Sequence, residues 1–426
     1  MDDRTRPVSV TPFGRLVTQV DDRAGSRDLE LMSVSIDHGV RRRLELTDGE
    51  PRADDLSNYK VCAEGDIVLN RMRAFQGAVG LAPQEGLVSP DYAVLRAESH
   101  VDAKYVAYLM RSRWFVGQMT ARLRGIGDPE LGAVRTPRVN VADLGDIRVT
   151  APTLGGQRRI ADFLDDRVTR IDQIITAREA QLELIHESAD RASFEVISGH
   201  RVVGARRTVE ERWLGTIPAG WPLLSVGSEF QVELGKMLDE KQQTGKWPLP
   251  YLRNTNVQWD VISTDDVKIM DIAPHERSRF TVTPGDLLIC EGGQPGRAAI
   301  WAGGIAPLAY QKALHRARSR GRSHPRWLLE CLRVAVRFGV FEAANGQTTI
   351  GHLTNEQLRA QRFPFPDTKT QSDLLTTLSA DREAVSATSS ALTQSVALLR
   401  EYKQVLITAA VTGELNVTTA GSGIPG

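Results

Sequence analysis

Cysteine is scarce, and the three present cannot build a framework. Cys62, Cys290 and Cys331 are odd in number, far apart and never in a C-x-x-C pair. That pattern argues against a disulfide scaffold and against a thiolate zinc site, and fits a reducing compartment. The opening MDDRTRPVSV lacks the apolar core of a secretory signal, and no run approaches the roughly eighteen apolar residues of a membrane span, so a cytoplasmic location is expected. Neither sign of charge is in excess, with 53 basic against 53 acidic residues, so composition alone does not announce a nucleic-acid binder. Pro-Pro is absent, which removes the Asn/Asp-Pro-Pro-aromatic loop used to methylate the amino group of adenine. The phosphate loop G-x-x-x-x-G-K-[ST] is missing too, so ATP-driven work cannot reside here. The eight histidines never take an H-x-x-x-H spacing, and a metal centre is unsupported.

What is present is ordinary globular material, 41% hydrophobic and 25% charged over 426 residues, enough for two to four units. Internal repetition is the strongest signal. GDIVLNRMRAFQGAVGLAP near position 65 matches GDLLICEGGQPGRAAIWAG near 285, each a Gly-Asp turn, a short aliphatic strand and a polar Gly-containing loop. A constant offset aligns Gly65 with Gly285, Asp66 with Asp286, Ala78 with Ala298 and Arg96-Ala97 with Arg316-Ala317. Further on, Pro152, Gln157, Ile160 and Leu164 match Pro366, Gln371, Leu374 and Leu378. Two landmarks in the same order indicate a duplicated chain.

After each of these prolines the texture turns helical, with no Pro or Gly between Gln157 and Ser198 or between Gln371 and Thr412. Apolar residues recur at sevens: Leu164, Ile171 and Ile185 beside Val168, Ile175 and Leu182 in the first segment, and Leu378, Val385, Leu392, Leu399 and Leu406 in the second. A 3.5-residue period holds one face toward a partner helix, as a coiled-coil seam requires. Between these helices the texture is mixed α/β, with helices expected at Lys104 to Met119 and Pro325 to Phe341.

These stretches resemble the specificity subunits of type I restriction-modification systems over nearly the whole chain. The resemblance rests on the two Gly-Asp segments, on PTLGGQRRIADFLDDRVTRIDQII opening the first helix, on WLGTIPAGW opening the second domain and on LITAAVTGEL closing the second helix. It implies two globular target-recognition domains separated by two long helices that form an antiparallel coiled coil, in pseudo-two-fold duplicated halves. The boundaries expected are a first domain over 1–152, a helix over 153–198, a linker over 199–212, a second domain over 213–365, a helix over 366–416 and a flexible tail over 417–426. It further implies that each domain reads one half of a bipartite site on double-stranded DNA. Two modification (methyltransferase) subunits and restriction (helicase-nuclease) subunits would dock on the chain. S-adenosylmethionine, ATP and magnesium would then sit on those partners, with no cofactor in this chain. TKTQSDLLTTLSADREAVSATSS departs from the helix-opening pattern and puts symmetric docking in question.

Base edges are read by Arg, Lys, Asn and Gln on loops that reach a groove. The loop after the first Gly-Asp strand offers Asn70, Arg71, Arg73 and Gln76; its counterpart offers Gln294 and Arg297, with Gln311 and Lys312 beyond. A second loop in each half offers Arg122, Arg124, Arg135 and Arg138, and Asn345, Gln347, Thr348 and Thr349. Taken singly, each is as well explained as a solvated loop polar. Gly77 and Gly346 are read as backbone formers. The run Lys312 to Arg337, with eight basic residues against Glu330, is either a phosphate footprint or a solvated face. Competing readings are a module of another phage-defence methylation system, a protein-binding scaffold, and a stand-alone magnesium nuclease built on Asp91, Asp102 and Lys104.

Overall fold

A computed structural model describes residues 9–36, 39–45, 55–123, 138–238, 244–343 and 352–418, without the side chains of 342 and 343. The chain divides into two compact units, Met1–Glu179 with Leu392–Gly426, and Ala180–Ala391.

The first unit is built on a four-stranded antiparallel sheet of β1 (Val17–Val20), β2 (Ile67–Asn70), β3 (Val79–Leu81) and β4 (Tyr92–Ala97), ordered β1-β4-β2-β3. The second repeats it with β5 (Phe230–Leu234), β6 (Leu287–Cys290), β7 (Ala298–Ile300) and β8 (Leu314–Ser319), ordered β5-β8-β6-β7. Both sheets are covered on both faces, which explains the unbroken apolar runs of β2 and β6. Ile67 and Leu69 pack into the helical core of the first unit, while Val68 packs on the opposite face with Met32, Val34 and Val40. Likewise Leu287 and Ile289 join the core around Trp327, and Leu288 and Cys290 join Trp301 and Tyr310. All three cysteines are buried free thiols, and burial pushes the Cys62 thiol up to about 11, the mark of unreactive packing groups.

Strand register corrects the single offset read from sequence. Ile67 faces Leu95 where Leu287 faces Ala317, so the counterpart of Arg96 is Arg318 rather than Arg316. Ile67 also faces Leu81 where Leu287 faces Ile300, so Ala78 corresponds to Arg297 rather than to Ala298. One loop has lost a residue and a later one has gained three, changes that an ungapped comparison averages away.

Helix α1 (Ala103–Arg111) is followed by α2 (Arg113–Thr120). The single helix expected over Lys104 to Met119 is broken at Ser112, whose hydroxyl donates to Leu109 O (2.6 Å) and caps Phe115 N. The next helices are α3 (Leu154–Ile197), α4 (Pro325–Arg337), α5 (Asn355–Ala360) and α6 (Thr368–Thr412). Helix α4 stops short of Phe341 because Gly339 takes a left-handed conformation, φ 65°.

The two long helices run antiparallel inside each unit. In the first, Leu164, Val168, Ile171 and Ile175 are buried with Val396, Leu399 and Leu406. In the second, Leu378 is buried with Val196 and Ile197, whereas Leu182, Ile185 and Val385 are only half-buried; Leu392, which belongs to the first unit, is half-buried as well. The companion row on α6 is partly polar, and the apolar pattern alone missed it. Lys403 is buried and donates to Asp172 (2.6 Å), and Arg400 pairs with Glu179 (2.8 Å). In the second unit Ser389 meets His186 (3.4 Å) and Arg382 reaches Ser193 (3.4 Å). Asp172, Glu179, His186 and Ser193 therefore form a polar row at sevens, a pattern that fixes register at some cost in stability.

Candidate nucleic-acid interface

The Gly-Asp turn is a structural clamp. Gly65 and Gly285 have φ of 81° and 93°, where a side chain would be strained. Asp66 and Asp286 are buried; each accepts a backbone N–H three residues upstream, from Ala63 (2.8 Å) and Thr283 (2.7 Å). Arg96 grips Asp66 with two bonds of 2.8 Å, and Arg318 grips Asp286 with bonds of 2.7 and 2.6 Å. The turn thereby ties β2 to β4 and β6 to β8.

The loop that leaves each clamped strand meets the end of the second candidate loop. Val139 N donates to Arg71 O (3.1 Å), and at the equivalent place Leu353 N donates to Glu291 O (2.7 Å). A side chain reinforces each junction: Arg71 Nε donates to Val139 O (3.0 Å), and His315 Nε2 sits 2.7 Å from Leu353 O. The first candidate loop of each unit and the described end of the second thus meet at one corner, a juxtaposition that sequence spacing does not reveal.

The candidates divide by environment. Asn70 is buried and its Oδ1 accepts Met72 N (3.1 Å), which makes it a turn former. Arg73 and Gln76 are exposed on the short helical turn closed by Gly77, φ 82°. Arg122 folds back on Gln118, with Nη1 bonds of 3.0 and 2.9 Å to its carbonyl and side-chain oxygens, and Arg138 pairs with Asp91 (3.2 Å). In the second unit Gln294 and Lys312 are exposed, Gln311 is half-buried, and Arg297 donates to Asn254 O (3.1 Å). Gly296, φ 89°, packs so tightly that a Cβ would lie 2.7 Å from the Phe341 ring, which holds this loop close to the core. Arg124, Arg135, Asn345, Gly346, Gln347, Thr348 and Thr349 lie outside the described residues, as do tail residues 419–426.

Most of the basic run from Lys312 to Arg337 is consumed internally. Arg316 is buried against Glu233 (2.5 Å), Arg318 holds Asp286, Arg326 and Arg333 hold Asp260 (both 2.5 Å), and Arg337 pairs with Asp190 (2.7 Å). Only Lys312, Arg320 and Arg322 are both exposed and without a side-chain partner among the described residues. The nuclease-like pattern is engaged as well. Asp102 caps α1 through Tyr105 N (2.9 Å), Lys104 pairs with Asp165 (2.6 Å), and Asp91 serves Arg138. No group of three or more His, Cys, Asp or Glu among the described residues could hold a metal ion. None of the described helices is long and apolar enough to cross a membrane.

His315 adds a pH dependence. It is fully buried, its Nδ1 has no partner, and burial lowers its pKa below the ordinary 6.5, so the folded state keeps it neutral. The unfolded chain takes up a proton that the folded chain refuses, and stability is lost progressively as pH falls below about 6.5. His200 is shifted the same way, chiefly by burial. His315→Gln is therefore expected to narrow, without abolishing, the gap between urea midpoints at pH 7.5 and 5.5. An unchanged gap would remove His315 as its source.

No family model matches the sequence, and no curated protein matches it. Solved structures do. A chain of a type I R-M system, from a structure described as underlying that system's complex assembly and conformational transition, is 18% identical with a TM-score of 0.72. The match covers 96% of this chain and 98% of that one. The HsdS subunit of Thermoanaerobacter tengcongensis is also 18% identical, with a TM-score of 0.53 over 96% of this chain and 97% of that one. The architecture is a duplicated two-domain one with long helices. In particular, it is the fold of type I R-M specificity subunits.

Proposed function

We propose that the chain is the non-catalytic DNA sequence-specificity subunit of a type I restriction-modification complex, reading a bipartite target with one half-site per unit. One observation carries this reading: the scaffold is retained twice while the loops it presents have diverged. The clamps Asp66–Arg96 and Asp286–Arg318 and the junctions at Val139 and Leu353 are equivalent, yet the corner carries Arg71, Arg73 and Gln76 in one unit and Glu291, Gln294 and Arg297 in the other. A duplicated frame with different polar loops suits two different base sequences, because base edges distinguish donors from acceptors. Methyl transfer and cleavage then belong to two modification subunits and to restriction subunits, which bring S-adenosylmethionine, ATP and magnesium. The fold shared with a chain from a type I R-M complex supports such partners.

The test is Arg73→Ala with Gln76→Ala, two exposed side chains whose loss leaves the fold intact. If either contacts a base, discrimination at positions of one half-site falls by about 1–3 kcal/mol, and the other half-site is read as before. Competition binding between target and single-base variants measures this. Unchanged discrimination together with an unchanged salt dependence would take this loop out of the interface.

A further inference from the structure

The second unit holds a cleft of about 390 Å³ along β5, lined by Gln231, Glu233, Arg279, Arg320, Asn355 and Arg359. Arg279, Arg320 and Arg359 are exposed, and none has a hydrogen-bond or ion-pair partner for its guanidinium among the described residues. Arg279 lies over the Phe280 ring, 5.1 Å from its centroid. The one acid in the cleft is already neutralised: Glu233 Oε2 accepts from Arg316 (2.5 Å) and Oε1 from Gln231 (3.0 Å). Asn355 Nδ2 is buried with no partner. Three free cations, an unfilled amide donor and no uncompensated carboxylate make a site for an anion with several acceptor oxygens.

The equivalent place in the first unit has the opposite character. Arg320 N bonds Glu229 O as Glu98 N bonds Leu16 O, so Glu98 occupies the position of Arg320. It accepts from Thr18 (2.6 Å), the counterpart of Gln231. Among the described residues, the position held by the cation Arg320 in one half is held by an acid in the other. It also begins beside the reading corner: Asn355 is two residues past Leu353, which is bonded to the loop at Glu291, and two residues span at most about 7 Å.

We infer that this cleft binds a backbone phosphate of the DNA read by the second unit, a clamp with an acid, Glu98, at the equivalent of Arg320 in the first unit. The inference rests on the proposed DNA reading. A phosphate contact fixes position and adds affinity without sequence information.

The experiment uses the full-length chain with random-sequence and target duplexes titrated in salt. Replacing Arg279, Arg320 and Arg359 together by alanine is expected to reduce the slope of log affinity against log salt by about one and to weaken both duplexes by the same factor, with base preferences unchanged. The matching triple lysine variant keeps the charge and should restore the slope. A slope that stays at the wild-type value in the alanine variant overturns the clamp. So does an unchanged slope accompanied by failure to assemble with modification subunits, which would assign the cleft to an acidic protein segment. A slope loss in a chain that shows no base preference at all would keep the clamp and remove the specificity reading.

Discussion

Glu330→Ala is expected to lower the unfolding temperature of the second unit by roughly 10 °C. Glu330 is fully buried on α4 and is reached by three guanidiniums: Arg382 from α6, Arg326 (2.9 Å) and Arg333 (3.5 Å). Burial disfavours the Arg382 charge and Glu330 offsets that cost. Arg326 and Arg333 also hold Asp260, and Arg333 lies 4.5 Å from the centroid of the Trp259 ring. Removing one member of a buried pair leaves uncompensated charge and costs about 3–5 kcal/mol. In a unit of this size each kcal/mol moves the midpoint by about 2–4 °C. Six of the seven tryptophans lie between 213 and 327, so intrinsic fluorescence follows this unit. A loss below about 1 kcal/mol, the scale of an exposed pair, would show that the network is solvated and that the long helix is held by its apolar contacts alone.

Exchange of residues 213–365 for the same segment of a relative with another target is expected to replace one half-site completely and leave the other untouched. The segment carries β5 to β8 and the cleft, and its core is that of the second unit. Three conditions follow for the donor. It must supply an acid opposite Arg382, a backbone N–H for Gln371, which accepts His324 N (2.9 Å), and an apolar face for Val196, Ile197 and Leu378. A donor meeting these should fold in place; a change in both half-sites would show that reading is shared between units.

Much of this was legible because duplication prints every structural requirement twice. The Gly-Asp turns, the paired prolines and glutamines and the heptad leucines are positions where one residue type solves a local problem. Gln157 and Gln371 are an example: each spans a Pro carbonyl and the first N–H of the preceding domain's helix, through Pro152 and Asp102 or Pro366 and His324. Other features stayed hidden because they depend on partners distant in sequence. The basic run could not be separated from a DNA footprint until Glu233, Asp260 and Asp286 were seen to neutralise it. Arg316 was taken for the counterpart of Arg96 in place of Arg318 because residues i and i+2 of a strand face the same side, so a slip of two preserves the pattern. The polar row of the long helices was missed because apolar periodicity registers only apolar residues. Asn70, offered as a base reader, is buried and accepts Met72 N, an environment that its place in the sequence does not reveal.

In the proposed function, one chain without chemistry of its own specifies two separate blocks of sequence. Mapping methylated bases on genomic DNA after the chain is combined with its modification subunits and S-adenosylmethionine tests it most directly. The account predicts methylation only in the combined mixture, confined to two short specified blocks separated by an unspecified gap of fixed length. A single continuous block, or methylation by the chain alone, would contradict it.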